Sequence, residues 1–145
     1  MTPTNDKKEG NFIWTDDDMI TFCDILIAST DEKVKGRAIK WVLVQDEFEK
    51  RTKRKCPIKS MKNKYDWMRR DWQLWKFLKT GETGLGWDPT TGKIKASIEW
   101  WEKKIMEKPE VKKFRNKGIA PEIEDLWNRL YQDGYATGEH VVSTN

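Results

Sequence analysis

Histidine, cysteine and long apolar runs are scarce in this chain, and each scarcity argues against a class of function. The only histidine, His140, lies in the presumed tail, so no cysteine–histidine metal set occurs. The two cysteines, Cys23 and Cys56, are interpreted as reduced thiols. No apolar run approaches the roughly 18 residues that a membrane span needs. The first ten residues contain no apolar stretch, which argues against a secretory signal.

Sequence motifs of catalysis are lacking as well. The chain has no phosphate-binding loop with a trailing lysine and serine or threonine, and no HExxH motif. The segment "GETGLG" at 81–86 resembles a glycine-rich nucleotide loop only superficially, since it follows a predicted helix rather than a strand. We therefore expect no enzymatic activity, no cofactor, no metal, no small-molecule substrate and no membrane partner.

What the chain does contain is tryptophan and charge. Nine tryptophans occur among 145 residues, and each aromatic side chain buries roughly 150–250 Å², so a substantial core can form. Residues 50–70 carry ten positive and one negative side chain, whereas residues 71–145 are balanced. Such a patch attracts a polyanion. The alternative is a solvated charged face, which is the commoner outcome for a charge run.

Apolar periodicity predicts an all-α fold. Thr15 and Asp18 form a capping-box pattern at the start of a first helix that runs to about Ala28. A second helix is predicted from about Arg37 to Arg51, with an apolar stripe that we expect to include Ile39, Trp41, Val42, Leu43, Val44 and Phe48. A third is predicted from about Pro57 to Lys79, with a core-facing stripe of Ile58, Met61, Tyr65, Met68, Trp72 and Trp75.

Further helices are predicted in the C-terminal part. One runs from about Lys95 to Met106 with Ile98, Trp101 and Ile105 on one face, a short one starts at Pro109, and a last one starts at Pro121. Gly81, Gly118 and Gly134 are placed to end helices, and no strand alternation is visible. We predict a disordered N-terminus at 1–11, a three-helix core at 12–80, a helical extension packed on it at 81–133 and a flexible tail at 134–145.

Several segments resemble a known family. "WTDDD", "WVLVQDEF", "MKNKYDWMRRDWQLWKFL", "ETGLGWDPTTGKIKASIEWWEKKI" and "PEVKKFRNKG" are similar to the plant Myb/SANT-like DNA-binding domains, over roughly residues 12–131. That family is related to trihelix and Myb-repeat DNA binders and to transposon-encoded accessory factors. The resemblance implies a helix-turn-helix core whose third helix reads double-stranded DNA. Trp14, Trp41 and Trp67 are spaced more widely than the tryptophans of Myb repeats, and by helical angle Trp72 rather than Trp67 faces the core.

The exposed side of the third helix and the basic connection before it form the predicted DNA site. Lys59, Lys62 and Asn63 lie in the half of the helix that approaches base edges in a helix-turn-helix. Asp66 is expected to pair with Arg70 at i, i+4. The other predicted DNA-contacting residues, which serve phosphates or flank the helix, are Lys50, Arg51, Lys53, Arg54, Lys55, Lys64, Arg69 and Arg70.

The run "KRTKRK" at 50–55 also fits a nuclear localisation patch, and a nuclear regulator is expected. The alternative is a protein-interaction module of the same fold that docks a regulator, chromatin protein or pathogen protein. Its contacts would come from the acidic first helix and an exposed tryptophan, either Trp100 or Trp101, since neighbouring residues cannot face the same way on a helix. Where the basic side chains of 50–70 point, and whether carboxylates neutralise them, distinguishes the two.

Overall fold

The computed structural model describes residues 12–31, 39–80 and 85–131. Within them the chain is helical apart from a two-stranded hairpin, which confirms the all-α prediction. In chain order the elements are α1 (Asp16–Asp31), α2 (Trp41–Thr52), α3 (Ile58–Lys79), β1 (Gly86–Trp87), β2 (Ile94–Lys95), α4 (Ile98–Glu107), a 3₁₀ helix (Pro109–Phe114) and α5 (Pro121–Tyr131). None of the helices in these ranges is both long enough and apolar enough to cross a bilayer.

The start of α1 has the predicted capping box. The Asp18 backbone N–H donates to Thr15 Oγ1 at 3.0 Å, and the Thr15 N–H donates to Asp18 Oδ2 at 3.1 Å. These two bonds satisfy backbone donors that have no partner inside the helix. Asp16, Asp17 and Asp18 lie in the first turn, where carboxylates interact favourably with the helix dipole.

The boundaries of the other helices follow the predictions closely, with two exceptions. Helix α3 covers the predicted span, but α2 begins at Trp41 rather than near Arg37. Helix α4 begins at Ile98, where the Ser97 hydroxyl caps it by accepting from the Trp100 N–H. The predicted helix ends at Gly81 and Gly134, the N-terminal disorder and the tail lie outside the described residues.

The chain forms two compact units. The described part of the first runs to Met68 and resumes at Leu126, and its core is aromatic. Phe22 and Phe48 are fully buried, with ring centroids 6.4 Å apart, and Trp14 lies 5.0 Å from Phe22. The α5 residue Tyr131 joins this core, because its hydroxyl donates to the Tyr65 carbonyl at 2.7 Å.

The second unit runs from Arg69 to Asp125 and contains the hairpin that the sequence pattern missed. Strands β1 and β2 pair antiparallel, with Gly86 opposite Lys95 and Trp87 opposite Ile94. The Asp88 carboxylate accepts from the Thr90 and Thr91 backbone N–H groups, and these bonds hold the pKa of Asp88 below its usual value. Two-residue strands carry too few positions for an alternating pattern, so sequence periodicity gave no sign of them.

Burial corrects part of the predicted core. The α3 stripe is confirmed from Met61 to Trp75, with Met61 and Met68 fully buried and Trp72 at 8% exposure against 46% for Trp67, whereas Ile58 is only half-buried. Val42 and Leu43, expected to widen the α2 stripe, are each 60% exposed, and Ile98 is 63% exposed. On α2 the buried positions are Val44 and Phe48, four residues apart, so the apolar side of that helix is narrower than predicted.

Candidate nucleic-acid interface

The outer side of α3 carries a strip of exposed polar side chains opposite its buried stripe. The core positions recur at intervals of three and four residues, which leaves the opposite side of the helix to solvent. We call this set the α3 strip, and its members are Lys59, Lys62, Asn63, Asp66 and Arg70. All five are exposed, as the sequence predicted, and only Asp66 is acidic.

Hydrogen bonds fix the backbone of the connection between α2 and α3, and its side chains alternate between exposed and half-buried. Lys53 ends α2 in the left-handed conformation, at φ 65°, with its N–H bonded to the Glu49 carbonyl at 2.8 Å. The Thr52 hydroxyl donates to the Phe48 carbonyl at 2.9 Å and accepts from the Arg54 N–H at 3.1 Å. As a result Lys53 and Lys55 are exposed on either side of the half-buried Arg54.

Arg54 has partners within the protein although its side chain is 41% exposed, whereas the sequence predicted a phosphate contact for it. Its guanidinium forms an ion pair with Asp18, whose side chain is 7% exposed, and donates to the Ile13 carbonyl at 3.1 Å. The same group lies 4.2 Å from the ring centroid of Phe12. These contacts join the basic connection to the start of α1, so Arg54 holds Lys53 and Lys55 in place.

Two other arginines within the basic window, residues 50–70, have carboxylate partners. Arg51 donates to Glu47 at 2.8 Å, one helical turn away. Arg70 donates to Glu110 at 2.8 Å, a partner that the sequence reasoning did not foresee when it assigned Arg70 to Asp66. The hydrogen bond raises the pKa of Arg70 and lowers that of Glu110, so both stay charged. Both pairs are solvent-exposed, and such pairs are weak.

The lysines of the window are different. Over the described ranges, no carboxylate oxygen lies within 4.0 Å of the ammonium group of these five lysines: Lys50, Lys53, Lys55, Lys59 and Lys62. All five are exposed. Their charge is therefore available to an external anion, which is the arrangement that separates a polyanion-binding surface from a self-neutralised one.

Comparison with known families identifies the fold. A family model described as a Myb/SANT-like DNA-binding domain matches residues 13–104, which is more than half of the chain. The chain belongs to this family. No curated protein and no solved structure matches it. The match runs from before α1 into α4, so it contains the α3 strip and the basic connection, and it supports a DNA-binding role for this Myb/SANT-like domain.

An exposed aromatic side chain borders the α3 strip of the Myb/SANT-like domain. Lys64 lies with its ammonium group 4.3 Å from the ring centroid of Trp67, which is 46% exposed. Lys64 is thus bound to an aromatic face, although the sequence prediction grouped it with the DNA-contacting cations. The helical angle that directs Trp72 rather than Trp67 toward the core is the sequence signal that locates this exposed ring.

The two cysteines of the Myb/SANT-like domain lie in the protein interior as free thiols. Cys23 and Cys56 are both buried and free, in agreement with the sequence interpretation. Burial raises the pKa of each thiol to about 12, which keeps both protonated at neutral pH and unreactive. Among the residues that the structure describes, no group of three or more potential metal ligands occurs.

Proposed function

We propose that this Myb/SANT-like domain binds double-stranded DNA with the N-terminal half of α3 in the major groove. The observation that carries the proposal is the set of five exposed lysines that have no carboxylate partner among the described residues, two of which, Lys59 and Lys62, lie on the α3 strip. Asn63 directly follows Lys62 on the same strip. Lysine reaches the acceptor atoms of guanine, and asparagine pairs with adenine in bidentate fashion.

Phosphate contacts come from the basic connection and its flanks. Lys50, Lys53 and Lys55 are exposed on a backbone fixed by the Thr52 and Lys53 hydrogen bonds, so little conformational entropy is lost when they bind. Arg51 and Arg70 add to this surface, since a phosphate competes readily with a solvent-exposed carboxylate. The half-buried Arg69 flanks it. Arg54 acts by positioning the connection rather than by contacting DNA.

The proposed role of the protein is that of a non-enzymatic nuclear regulator of transcription or a transposon-derived DNA-binding factor. The match to a DNA-binding family and the "KRTKRK" run support a nuclear location. The resemblance to trihelix proteins and transposon accessory factors favours these two roles over other uses of the fold.

A mobility-shift assay on duplex DNA tests the assignment of α3. The double variant Lys59→Gln/Lys62→Gln removes two charges from the α3 strip and is expected to lower affinity at least tenfold, because two groove contacts are worth about 1–3 kcal/mol each. The charge-matched control is Lys76→Gln/Lys103→Gln, which removes two exposed lysines outside the proposed site. Equal binding by the two variants would exclude α3 as the reading element.

A second candidate function, protein docking, is favoured by one observation. Val42 and Leu43 are neighbours on α2 and each is 60% exposed, so an apolar patch faces solvent near the start of that helix. If this patch is the functional surface, Val42→Ser/Leu43→Ser abolishes partner capture and leaves DNA binding unchanged. Loss of DNA binding in that variant would assign the patch to the DNA interface instead.

A further inference from the structure

A second concentration of positive charge lies in the other unit, beyond the region that the family model matches. Between Lys108 and Gly118 the chain carries five positive side chains and one negative, Glu110, whereas the match ends at residue 104. Glu110 accepts from Arg70, and that bond keeps its pKa low. The acid is thereby neutralised by a cation from outside the segment, so the segment keeps its excess of positive charge.

One lysine of this segment serves the interior of its unit. Lys113 lies 2.6 Å from Asp71, whose side chain is only 5% exposed, and so balances a nearly buried carboxylate. Lys112 and Lys117, by contrast, are exposed and have no ion-pair partner in the described parts of the chain. Of the other two cations, Lys108 has its ammonium group 5.3 Å from the Phe77 ring centroid and Arg115 is half-buried. Lys112 and Lys117 are therefore the two cations of the segment most available to a ligand.

The hairpin brings a third such cation to the segment. A Cβ atom placed on Gly118 would lie 2.4 Å from the Lys93 backbone nitrogen and 2.3 Å from the Gly92 carbonyl carbon. The two backbones therefore touch, and Lys93 directly follows the contact in one segment while Lys117 directly precedes it in the other. Lys93 is exposed, and it too has no ion-pair partner over the described ranges.

The backbone that carries these lysines is fixed. Val111 is fully buried and Phe114 is 4% exposed, with the Phe114 ring centroid 5.2 Å from that of Trp75. Gly92 adopts φ +77° against the Ile119 carbonyl, a position open only to glycine. Charges on an ordered backbone bind an anion with a smaller loss of entropy than charges on a mobile tail.

We propose that Lys93, Lys112 and Lys117 form a second DNA-phosphate-binding surface, in the second unit and outside the reading helix. The inference rests on the proposed function, since its ligand is the same duplex. A contact of this kind adds affinity without sequence information, because it meets only the phosphate backbone.

The test is the salt dependence of DNA binding by the full chain. Each phosphate contact contributes about −0.9 to the slope of log affinity against log salt. The variant Lys112→Gln/Lys117→Gln is therefore expected to have a slope about 1.8 less steep than the parent protein. The control Lys76→Gln/Lys103→Gln removes the same charge from exposed positions outside both surfaces and is expected to keep the parent slope.

The outcomes separate this inference from the proposed function. If the parent protein binds with a steep slope and both double variants match it, the second surface is overturned while DNA binding by α3 stands. The same holds if both variants lose slope equally, because a general field rather than local contact then accounts for the loss. If the parent protein shows no salt-dependent DNA binding, both proposals fail. Matching thermal unfolding curves for the variants exclude a folding defect.

Discussion

Arg54 combines three contacts that together determine where the basic connection lies. Its guanidinium pairs with the nearly buried Asp18, donates to the Ile13 carbonyl and covers the Phe12 ring. The sequence could not distinguish it from Lys53 or Lys55, because its partner lies 36 positions away. One of the five cations at 50–55 thus has a structural role, and its neighbours Lys53 and Lys55 are the ones that we propose contact DNA.

Asp18→Asn tests that division of roles. The asparagine oxygen still accepts from the Thr15 N–H, but the ion pair with Arg54 is lost, so the free energy of unfolding is expected to fall by about 1–2 kcal/mol. DNA affinity is expected to fall as well, because Lys53 and Lys55 lose their fixed position. Chemical denaturation and fluorescence anisotropy measure the two effects.

Asp17→Asn is the matched control for that variant. Asp17 lies in the same helical turn and is exposed, so its replacement is expected to cost only a few tenths of a kcal/mol, in the range of a helix-dipole contribution. If Asp18→Asn behaves like Asp17→Asn in both measurements, Arg54 does not position the connection.

Among the secondary-structure elements, local signals decided what the sequence could predict. The capping box at Thr15 and the three–four spacing on α3 act over one or two helical turns, and both predictions are confirmed. The hairpin is different, because its turn is held against a segment some 26 residues later, where Gly92 meets Gly118. Nothing near Gly92 in sequence shows that contact, so the segment was expected to be irregular.

Gly118→Ala tests the close approach on which the hairpin depends. The added Cβ would lie 2.3 Å from the Gly92 carbonyl carbon, so a backbone must move, and a loss of about 1–3 kcal/mol in the free energy of unfolding is expected. Urea denaturation followed by circular dichroism measures it.

Gly86→Ala provides the comparison, because its Cβ would meet only the Lys95 Cβ at 3.8 Å, an ordinary contact. Its free energy of unfolding is expected to change by no more than about 0.5 kcal/mol. Equal stability of Gly118→Ala and the parent protein would show that the hairpin is not packed as described.

For the molecule as a whole, the distribution of charge matters more than its sum. The formal net charge is +4, yet residues 50–70 alone carry ten positive side chains against one negative. The sequence revealed this window but not how its members are used. The structure shows that three of its arginines, Arg51, Arg54 and Arg70, have carboxylate partners, whereas Lys50, Lys53, Lys55, Lys59 and Lys62 have none in the described ranges. A second basic segment after residue 107 is hidden in the balanced total of residues 71–145.

The salt dependence of binding to a random-sequence duplex tests the central claim most directly. The proposed phosphate contacts of Lys50, Arg51, Lys53, Lys55 and Arg70 predict a slope of about −4.5 for log affinity against log salt, and contacts from the second unit make it steeper. A slope of that size is the result the account predicts. A slope near zero, or no binding at low salt, would contradict it, because the exposed lysines would then have no polyanion to meet.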